Sequence, residues 1–442
     1  MSKPQTIVSF FSGALGLDLG LEAAGFSLRA VADCNKAALE TIELNQHAKK
    51  GRPLVVFSEP LTENNVEYAC AKIIKQARLK VGSIGILAGA PPCQPFSTAG
   101  KRLSLKDERA SGFDIMFNAV ALLQPRYFVI ENVKGLLSAA LKHRPLAERG
   151  PGFPPLKPSE EYGSAFRRIL EDLKAFCEKT GYCATWGTLN AADFGVPQKR
   201  ERFVIIGARD GSSIWPVATH AENGSDGLHP WVDFQTAVAD LNENEPVYQP
   251  FNEVNLEYLR RIPAGANWRA LPTELQAQAI GGAYHSWGGR CGFLRRLAWN
   301  EPAPTIINNP RSRATMLCHP AEDRPLSVQE CARIQGFPDE WRFAGAIGEQ
   351  YRQIGNATPV GLGSAIGAAI RRMISSRNKI RYCGEVLCAN REILEKLRNR
   401  PRTTLNPYFM RENTGREADC AWLGKAGGLR KGFAALKIRP VC

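Results

Sequence analysis

Cys93 stands in Gly89-Ala90-Pro91-Pro92-Cys93-Gln94-Pro95-Phe96-Ser97, a thiol fixed between prolines directly after the apolar stretch Ile84 to Ala88. A thiol of ordinary pKa is only a few per cent ionised near pH 7, so a cysteine that attacks carbon gains from a rigid, partly polar setting. By residue type alone Cys93 is better read as inert packing, because free cysteines are among the most buried side chains, and it is the flanking sequence that favours the nucleophile. Glu131 ends the apolar run Tyr127 to Ile130 and is followed by Asn132. It is either a carboxyl group placed for acid catalysis or a plain strand-end acid. Arg200 and Arg202 alternate in Gln198-Lys199-Arg200-Glu201-Arg202. Alternation turns both to one face of a strand, where they reach a ligand's carbonyl or phosphate or form a salt-bridged surface.

A second group of residues suits a nucleoside. The apolar run Thr6 to Phe11 leads into Ser12-Gly13-Ala14-Leu15-Gly16-Leu17-Asp18, then a helical stretch Leu19 to Ala24 closed by Gly25. A second strand, Phe26 to Ala32, ends at Asp33, which stands 20 residues after Gly13. That spacing carries a carboxylate to a ribose hydroxyl. Leu15 occupies the place of the middle glycine of a dinucleotide loop, so a pyrophosphate fits poorly and a smaller cofactor fits better. A Gly-x-x-Gly run by itself is also what an ordinary tight turn looks like.

These residues need strands to position them. Strand and helix patterns alternate to about Ala208, including Phe203 to Gly207, which predicts an α/β fold with a doubly wound sheet and its chemistry at the carboxyl ends of the strands. From about Arg209 the text changes to prolines, scattered aromatics and glycine pairs, as in Gly281-Gly282-Ala283-Tyr284-His285-Ser286-Trp287-Gly288-Gly289-Arg290. Such text reads as loops on a smaller domain. The chain then returns through Gln353-Ile354-Gly355-Asn356-Ala357-Thr358-Pro359 to a small-residue helix, Gly361 to Met373, expected to pack on the first βαβ unit. The expected division is 1–208 plus 345–376, then 209–344, then an extension 377–442.

Taken in order, Phe10-Phe11-Ser12-Gly13-Ala14-Leu15-Gly16, the Pro91 to Ser97 run, Glu131-Asn132-Val133, the Gln198 to Arg202 run and the Gln353 to Pro359 run resemble the motifs of DNA cytosine-5 methyltransferases of bacterial restriction and modification type. The resemblance covers roughly residues 6 to 372. Leu15 departs from a usual glycine and Thr358 from a usual aliphatic residue, and both departures bear on the cofactor rather than on the chemistry. The resemblance implies a Rossmann-like S-adenosylmethionine-dependent domain with a smaller target-recognition domain. It implies Cys93 as nucleophile, Glu131 as acid and Arg202 as a catalytic cation, with Arg200 beside it. For S-adenosylmethionine it implies Phe11 against the adenine and the Gly13, Leu15 and Gly16 backbone near the methionine end. Asp33 would sit on the ribose, Glu59 by the adenine amine, and Asn356 with Thr358 closing the pocket.

The implied partner is double-stranded DNA, with a companion restriction endonuclease acting on the same site. Because the reacting carbon is inaccessible inside a duplex, the target base must leave the stack. The stretch Ser97 to Gly112, with Gly100 and Gly112 as hinges, is expected to close over DNA, and Gln94, Ser97, Lys101, Arg102 and Arg109 are expected to touch it. Trp268, Tyr284, Trp287 and Arg290 are assigned to base recognition. Two other readings stay open. A transfer-RNA cytosine-5 methyltransferase would carry a Cys-Phe-Thr signature, for which the nearest text is Cys291-Gly292-Phe293. A silent DNA-binding relative would have lost its nucleophile or acid, and Cys93, Glu131 and Arg202 are all present.

Composition agrees. The chain has 442 residues, enough for more than one core, and 57 Lys and Arg against 43 Asp and Glu, a net charge of +14. That excess suits a polyanion. The last 72 residues carry 17 Lys and Arg and 6 Asp and Glu. Most of the surplus is therefore in the tail, which is either a further phosphate contact or a solvated extension with one short helix from Asn390 to Arg400. The 12 cysteines include no Cys-x-x-Cys pair, and Cys383, Cys388, Cys420 and Cys442 are too loosely spaced to suggest a metal site. With no apolar run near 18 residues and no secretion signal, a cytoplasmic, monomeric protein with no membrane partner is expected.

Overall fold

The computed structural model describes residues 5–46, 53–92, 112–145, 148–149, 152–241, 245–285, 291–376, 381–390, 392–393, 395 and 439–440. Strands and helices alternate as β1 (Thr6–Phe10), α1 (Gly16–Ala23), β2 (Ser27–Ala32), α2 (Lys36–Gln46), β3 (Val55–Phe57), α3 (Val66–Ala77), β4 (Ile86–Gly89), α4 (Gly112–Leu123), β5 (Tyr127–Val133), α5 (Ser164–Thr180) and β6 (Cys183–Asn190). There follow β7 (Gln198–Lys199), β8 (Glu201–Ala208), β9 (His220–Ala221), β10 (His229–Pro230), α6 (Phe234–Val238), α7 (Glu253–Leu259), α8 (Thr273–Ile280) and β11 (Ala303–Pro304). The chain ends with α9 (Val328–Ile334), α10 (Ile347–Asn356), α11 (Val360–Ser375), β12 (Val386–Cys388) and β13 (Arg439–Pro440). It forms two compact units, one of Met1–Pro60, Leu189–Glu201 and Pro216–Arg371, the other of Leu61–Thr188, Arg202–Trp215 and Arg372–Cys442.

In the first unit β1, β2 and β3 lie side by side and parallel, with Phe10 level with Ala32 and Ala32 level with Phe57. Ile7 to Phe10 are buried without alternation, as strands covered on both faces require. Small residues let α11 meet α1 backbone to backbone. A Cβ on Gly20 would stand 2.2 Å from the Val360 carbonyl oxygen, and one on Gly367 would stand 2.5 Å from the Ala24 methyl. The first unit also holds a separate apolar cluster that includes Leu259, Trp268, Leu294 and Met316.

In the second unit the strand order is β13-β12-β6-β8-β5-β4. β4 and β5 are parallel, and β8 runs antiparallel to β5. The amphipathic α5 drops Phe166 edge-on between Trp186 and Phe203, with ring centroids 5.1 and 5.3 Å away. Such aromatic pairs add about 1 kcal/mol each beyond the area they bury. The tail contributes more than the sequence suggests: Val386 to Cys388 form a buried strand parallel to β6, and Asn390 Oδ1 accepts the Thr188 N–H at 2.6 Å. Three apolar residues are too few to show a period, which is why the strand is invisible in the sequence. The expected helix from Asn390 to Arg400 falls mostly outside the described residues. Among the described residues no helix is long and apolar enough to cross a membrane.

Candidate active site

The level carboxyl ends of β1, β2 and β3 deliver Phe11, Asp33 and Glu59 to one end of the first unit. The turn after β1 is sharp: Phe11 (φ 53°), Gly13 (φ 50°) and Leu15 (φ 69°) are all left-handed. For Phe11 and Leu15 that conformation costs about 1–3 kcal/mol each and persists only where the surroundings enforce it, a pattern that clusters at ligand sites. Leu15 is held there by complete burial. Asp33 Oδ2 accepts the Gly13 N–H at 2.7 Å and its Oδ1 accepts the Asn35 N–H at 2.8 Å. The 20-residue spacing read from the sequence is thus a direct contact. Burial pushes the Asp33 carboxyl above its ordinary value, with the backbone donors Asn35, Gly13 and Cys34 opposing the shift.

The two loop glycines do different things. A Cβ on Gly13 would meet nothing within 4 Å, whereas one on Gly16 would stand 2.2 Å from the Thr358 carbonyl oxygen. Gly16 therefore admits the returning chain, and Gly13 leaves open space. Asn356, the last residue of α10, is exposed, while Thr358 is buried. The hydroxyls of Ser12 and Thr358 are buried without a hydrogen-bond partner. Buried hydroxyls are rarely left so, and a polar ligand at this end of the unit would satisfy them. The residues present fit a nucleoside cofactor such as S-adenosylmethionine.

In the second unit Arg202 Nε lies 2.9 Å from Glu131 Oε1, with both side chains about nine-tenths buried. The neighbouring Asn132 donates its Nδ2 to the Pro91 carbonyl at 3.2 Å, and its Oδ1 accepts the Val133 N–H at 2.9 Å. One strand end thus presents the acid and grips the chain two residues before Cys93. A Cβ on Gly112, the first residue of α4, would stand 2.7 Å from the Pro91 side chain, so the helix start packs close against the same turn. Cys93, Gln94, Ser97, Lys101, Arg102, Arg109, Trp287 and Arg290 lie outside the described residues, as does the expected lid apart from Gly112.

Arg200 differs from the sequence expectation. The strand is interrupted at Arg200, between β7 and β8, so the alternation that would turn Arg200 and Arg202 the same way does not hold. Arg200 is 1% exposed. Its Nη1 donates to the Ile306 carbonyl at 2.7 Å, and its Nη2 donates to the Gly355 and Ala357 carbonyls at 2.7 and 2.9 Å. Gln198 joins the same set, its Oε1 accepting the Ile306 N–H at 2.8 Å and its Nε2 donating to Gln335 at 2.8 Å. Arg200 therefore holds the Gly355-Asn356-Ala357 turn in place from behind.

Trp268 is likewise placed differently. It is 5% exposed in the apolar cluster of the first unit, with Tyr284 packed edge-on at 5.9 Å and Arg269 over its ring at 4.9 Å. Its bulk serves the core, which corrects its assignment to a recognition surface. The sequence reading missed a polar recess lined by Asn252, Asn255, Asn309 and Arg311, whose signal was Asn308-Asn309-Pro310-Arg311.

Residues 5–372 match the family model described as C-5 cytosine-specific DNA methylase. The chain is 35% identical over 389 residues to the Type II methyltransferase M.PspPI of Psychrobacter sp. (strain TA137), covering 86% of this chain and 82% of that protein. It is 33% identical over 384 residues to the Type II methyltransferase M.Sau96I of Staphylococcus aureus, covering 85% and 78%. In structure it is similar to the methyltransferase EhMeth of Entamoeba histolytica, with a TM-score of 0.51 and 14% identity over 85% of this chain and all of the other, a likeness of fold. With the family model spanning residues 5–372 and relatives 35% and 33% identical over most of both chains, the chain belongs to the C-5 cytosine-specific DNA methylases.

Proposed function

We propose that this DNA cytosine-5 methyltransferase works through a covalent adduct of Cys93 with a cytosine flipped out of a specific duplex site. Cytosine carbon-5 is too weak a nucleophile to take a methyl group unaided. Addition of the Cys93 thiolate to carbon-6 moves the ring electrons to carbon-5 and makes that carbon nucleophilic. Glu131 protonates or hydrogen-bonds ring nitrogen-3 during addition, and Arg202 donates to the ring carbonyl. Loss of the carbon-5 proton to water and departure of the Cys93 sulfur as thiolate restore aromaticity. S-adenosylmethionine, when bound, supplies the methyl group. Phe11, Gly13, Leu15, Gly16, Asp33, Glu59, Asn356 and Thr358 would hold it.

The observation that carries this reading is the Glu131–Arg202 pair on the strand whose next residue grips Pro91. A buried carboxyl and guanidinium side by side match a ring that offers nitrogen-3 and a carbonyl on one edge. Residues 1–208 with 345–376 would carry the catalytic work and 209–344 the target recognition, with Tyr284 and Arg290 among the base contacts. The protein would act as a monomer in the cytoplasm, protecting host DNA from a partner endonuclease. Expression in cells lacking their own methylases, followed by conversion-based methylcytosine sequencing, is expected to show methylation confined to one short motif. Unmethylated DNA beside soluble protein would overturn the reading. Cys93→Ser is expected to abolish methylation and keep DNA binding.

A further inference from the structure

In the first unit, Phe251, Asn252, Asn255, Asn309 and Arg311 line an open recess of about 200 Å³. Its polar groups are oriented. Asn252 Oδ1 accepts the Asn255 N–H at 2.9 Å, and Asn309 Oδ1 accepts the Arg311 N–H at 3.0 Å. With both amide oxygens engaged, each side chain is left with an NH2 group and two donors. Arg311 donates Nη1 to the Pro250 carbonyl at 3.1 Å, and its Nε is buried with no partner. Among the described residues no carboxylate lines the recess, and the adjoining Glu253 is drawn to Arg260, 4.0 Å away.

The recess wall is anchored to β7 and Arg200 of the same unit. β11 pairs with β7, Thr305 Oγ1 donates to the Lys199 carbonyl at 3.0 Å, and Arg200 holds Ile306, three residues before Asn309. A recess of amide donors and one guanidinium calls for a group with acceptors only and a negative charge. The edges of adenine and cytosine present amino donors there and would be opposed. A phosphodiester meets both requirements.

Resting on the reading of this chain as a DNA methyltransferase, we propose that Asn252, Asn309 and Arg311 clamp a backbone phosphate of the substrate duplex. Phosphate contacts fix register and orientation without reading sequence. The clamp would therefore position the DNA, and base reading would fall to other residues.

The test uses the full chain with Asn252→Asp, Asn309→Asp and Arg311→Gln. Aspartate keeps the oxygen that caps the backbone and replaces the NH2 group by a second carboxylate oxygen, so the local turn survives while the phosphate is repelled. Each aspartate variant is expected to weaken binding of cognate and unrelated duplexes by the same factor, about tenfold. S-adenosylmethionine affinity should stay unchanged, which also reports an intact fold. Arg311→Gln is expected to reduce the slope of log affinity against log salt by about 0.9, the value for one phosphate. Wild-type affinity and slope in the aspartate variants would overturn the clamp. So would a loss confined to the cognate duplex with relaxed choice at one base position, which marks a base contact. Failure of the underlying reading shows separately, as a wild-type chain that binds duplex DNA but methylates none.

Discussion

Arg202 is registered opposite Val133 across the antiparallel β5 and β8, yet its guanidinium meets Glu131 at 2.9 Å. Glu131 lies two residues before Val133 and therefore on the same face, so acid and cation form a diagonal cross-strand pair within reach of a long side chain. The pairing holds the carboxyl and the guanidinium in fixed orientation before substrate arrives. Neither side chain has solvent to fall back on. Glu131→Gln is expected to lower kcat by about 10²–10⁴-fold, the usual worth of an acid catalyst, with DNA affinity kept. It also removes the charge beside the buried Arg202 while leaving an amide oxygen that can accept from it, a loss of about 1–3 kcal/mol. Adding Arg202→Gln should recover part of that stability and none of the activity, measured by denaturant unfolding beside single-turnover methylation.

Asp33 yields a pH prediction. Burial raises its carboxyl pKa above the unfolded value. The protonated form therefore favours the fold below the unfolded carboxyl range, and that contribution is lost as pH rises through the raised folded pKa. In the proposed role a ribose hydroxyl would donate to the ionised carboxylate, so cofactor affinity should fall as pH drops through the same region. Asp33→Asn should weaken the cofactor at neutral pH and flatten this dependence. Calorimetric titration of S-adenosylmethionine at several pH values checks both, and an unchanged slope in the variant would remove Asp33 from the ribose.

Gly16 and Gly13 should respond in opposite order to what their backbones suggest. Gly13 alone has a left-handed φ, 50°, but open space around it, so Gly13→Ala should cost about 1–2 kcal/mol. Gly16→Ala would drive a methyl group to 2.2 Å from the Thr358 carbonyl oxygen, and backbone must move. Its cofactor affinity should fall by more than that of Gly13→Ala, with a lower unfolding midpoint. The reverse ranking in a cofactor titration would count against this packing.

Arg200→Lys tests a positioning role. An ammonium cannot reproduce a planar fork that reaches Ile306, Gly355 and Ala357 together. At least one buried carbonyl then loses its donor, at about 1–3 kcal/mol. The variant should bind S-adenosylmethionine more weakly, because Asn356 lies in the freed turn and Thr358 directly follows it, while kcat at saturating cofactor changes less than KM. A fall in kcat with KM unchanged would instead place Arg200 at the reacting base.

Residue order and local pattern were enough to determine the family and the strands whose ends carry the candidate site. Apolar runs of four to seven residues ending in Phe11, Asp33 and Glu131 mark buried strands, and a strand's carboxyl end is where a side chain escapes the sheet. Small residues in α11 announced close packing on α1 because only backbone contact rewards them. Only the tertiary structure decided which partners those side chains meet. That Arg202 pairs with Glu131 while Arg200 binds carbonyls follows from a strand break at Arg200, which leaves no trace in a Gln-x-Arg-x-Arg spacing. Trp268 looks like a recognition residue in text rich in aromatics and glycine, and its burial depends on cluster neighbours remote in sequence. The strand Val386–Cys388 and the recess at Arg311 are likewise products of non-local contact, β6 for the first and the α7 start for the second. Periodicity reports which face of an element is buried, and it is silent about what that face is buried against.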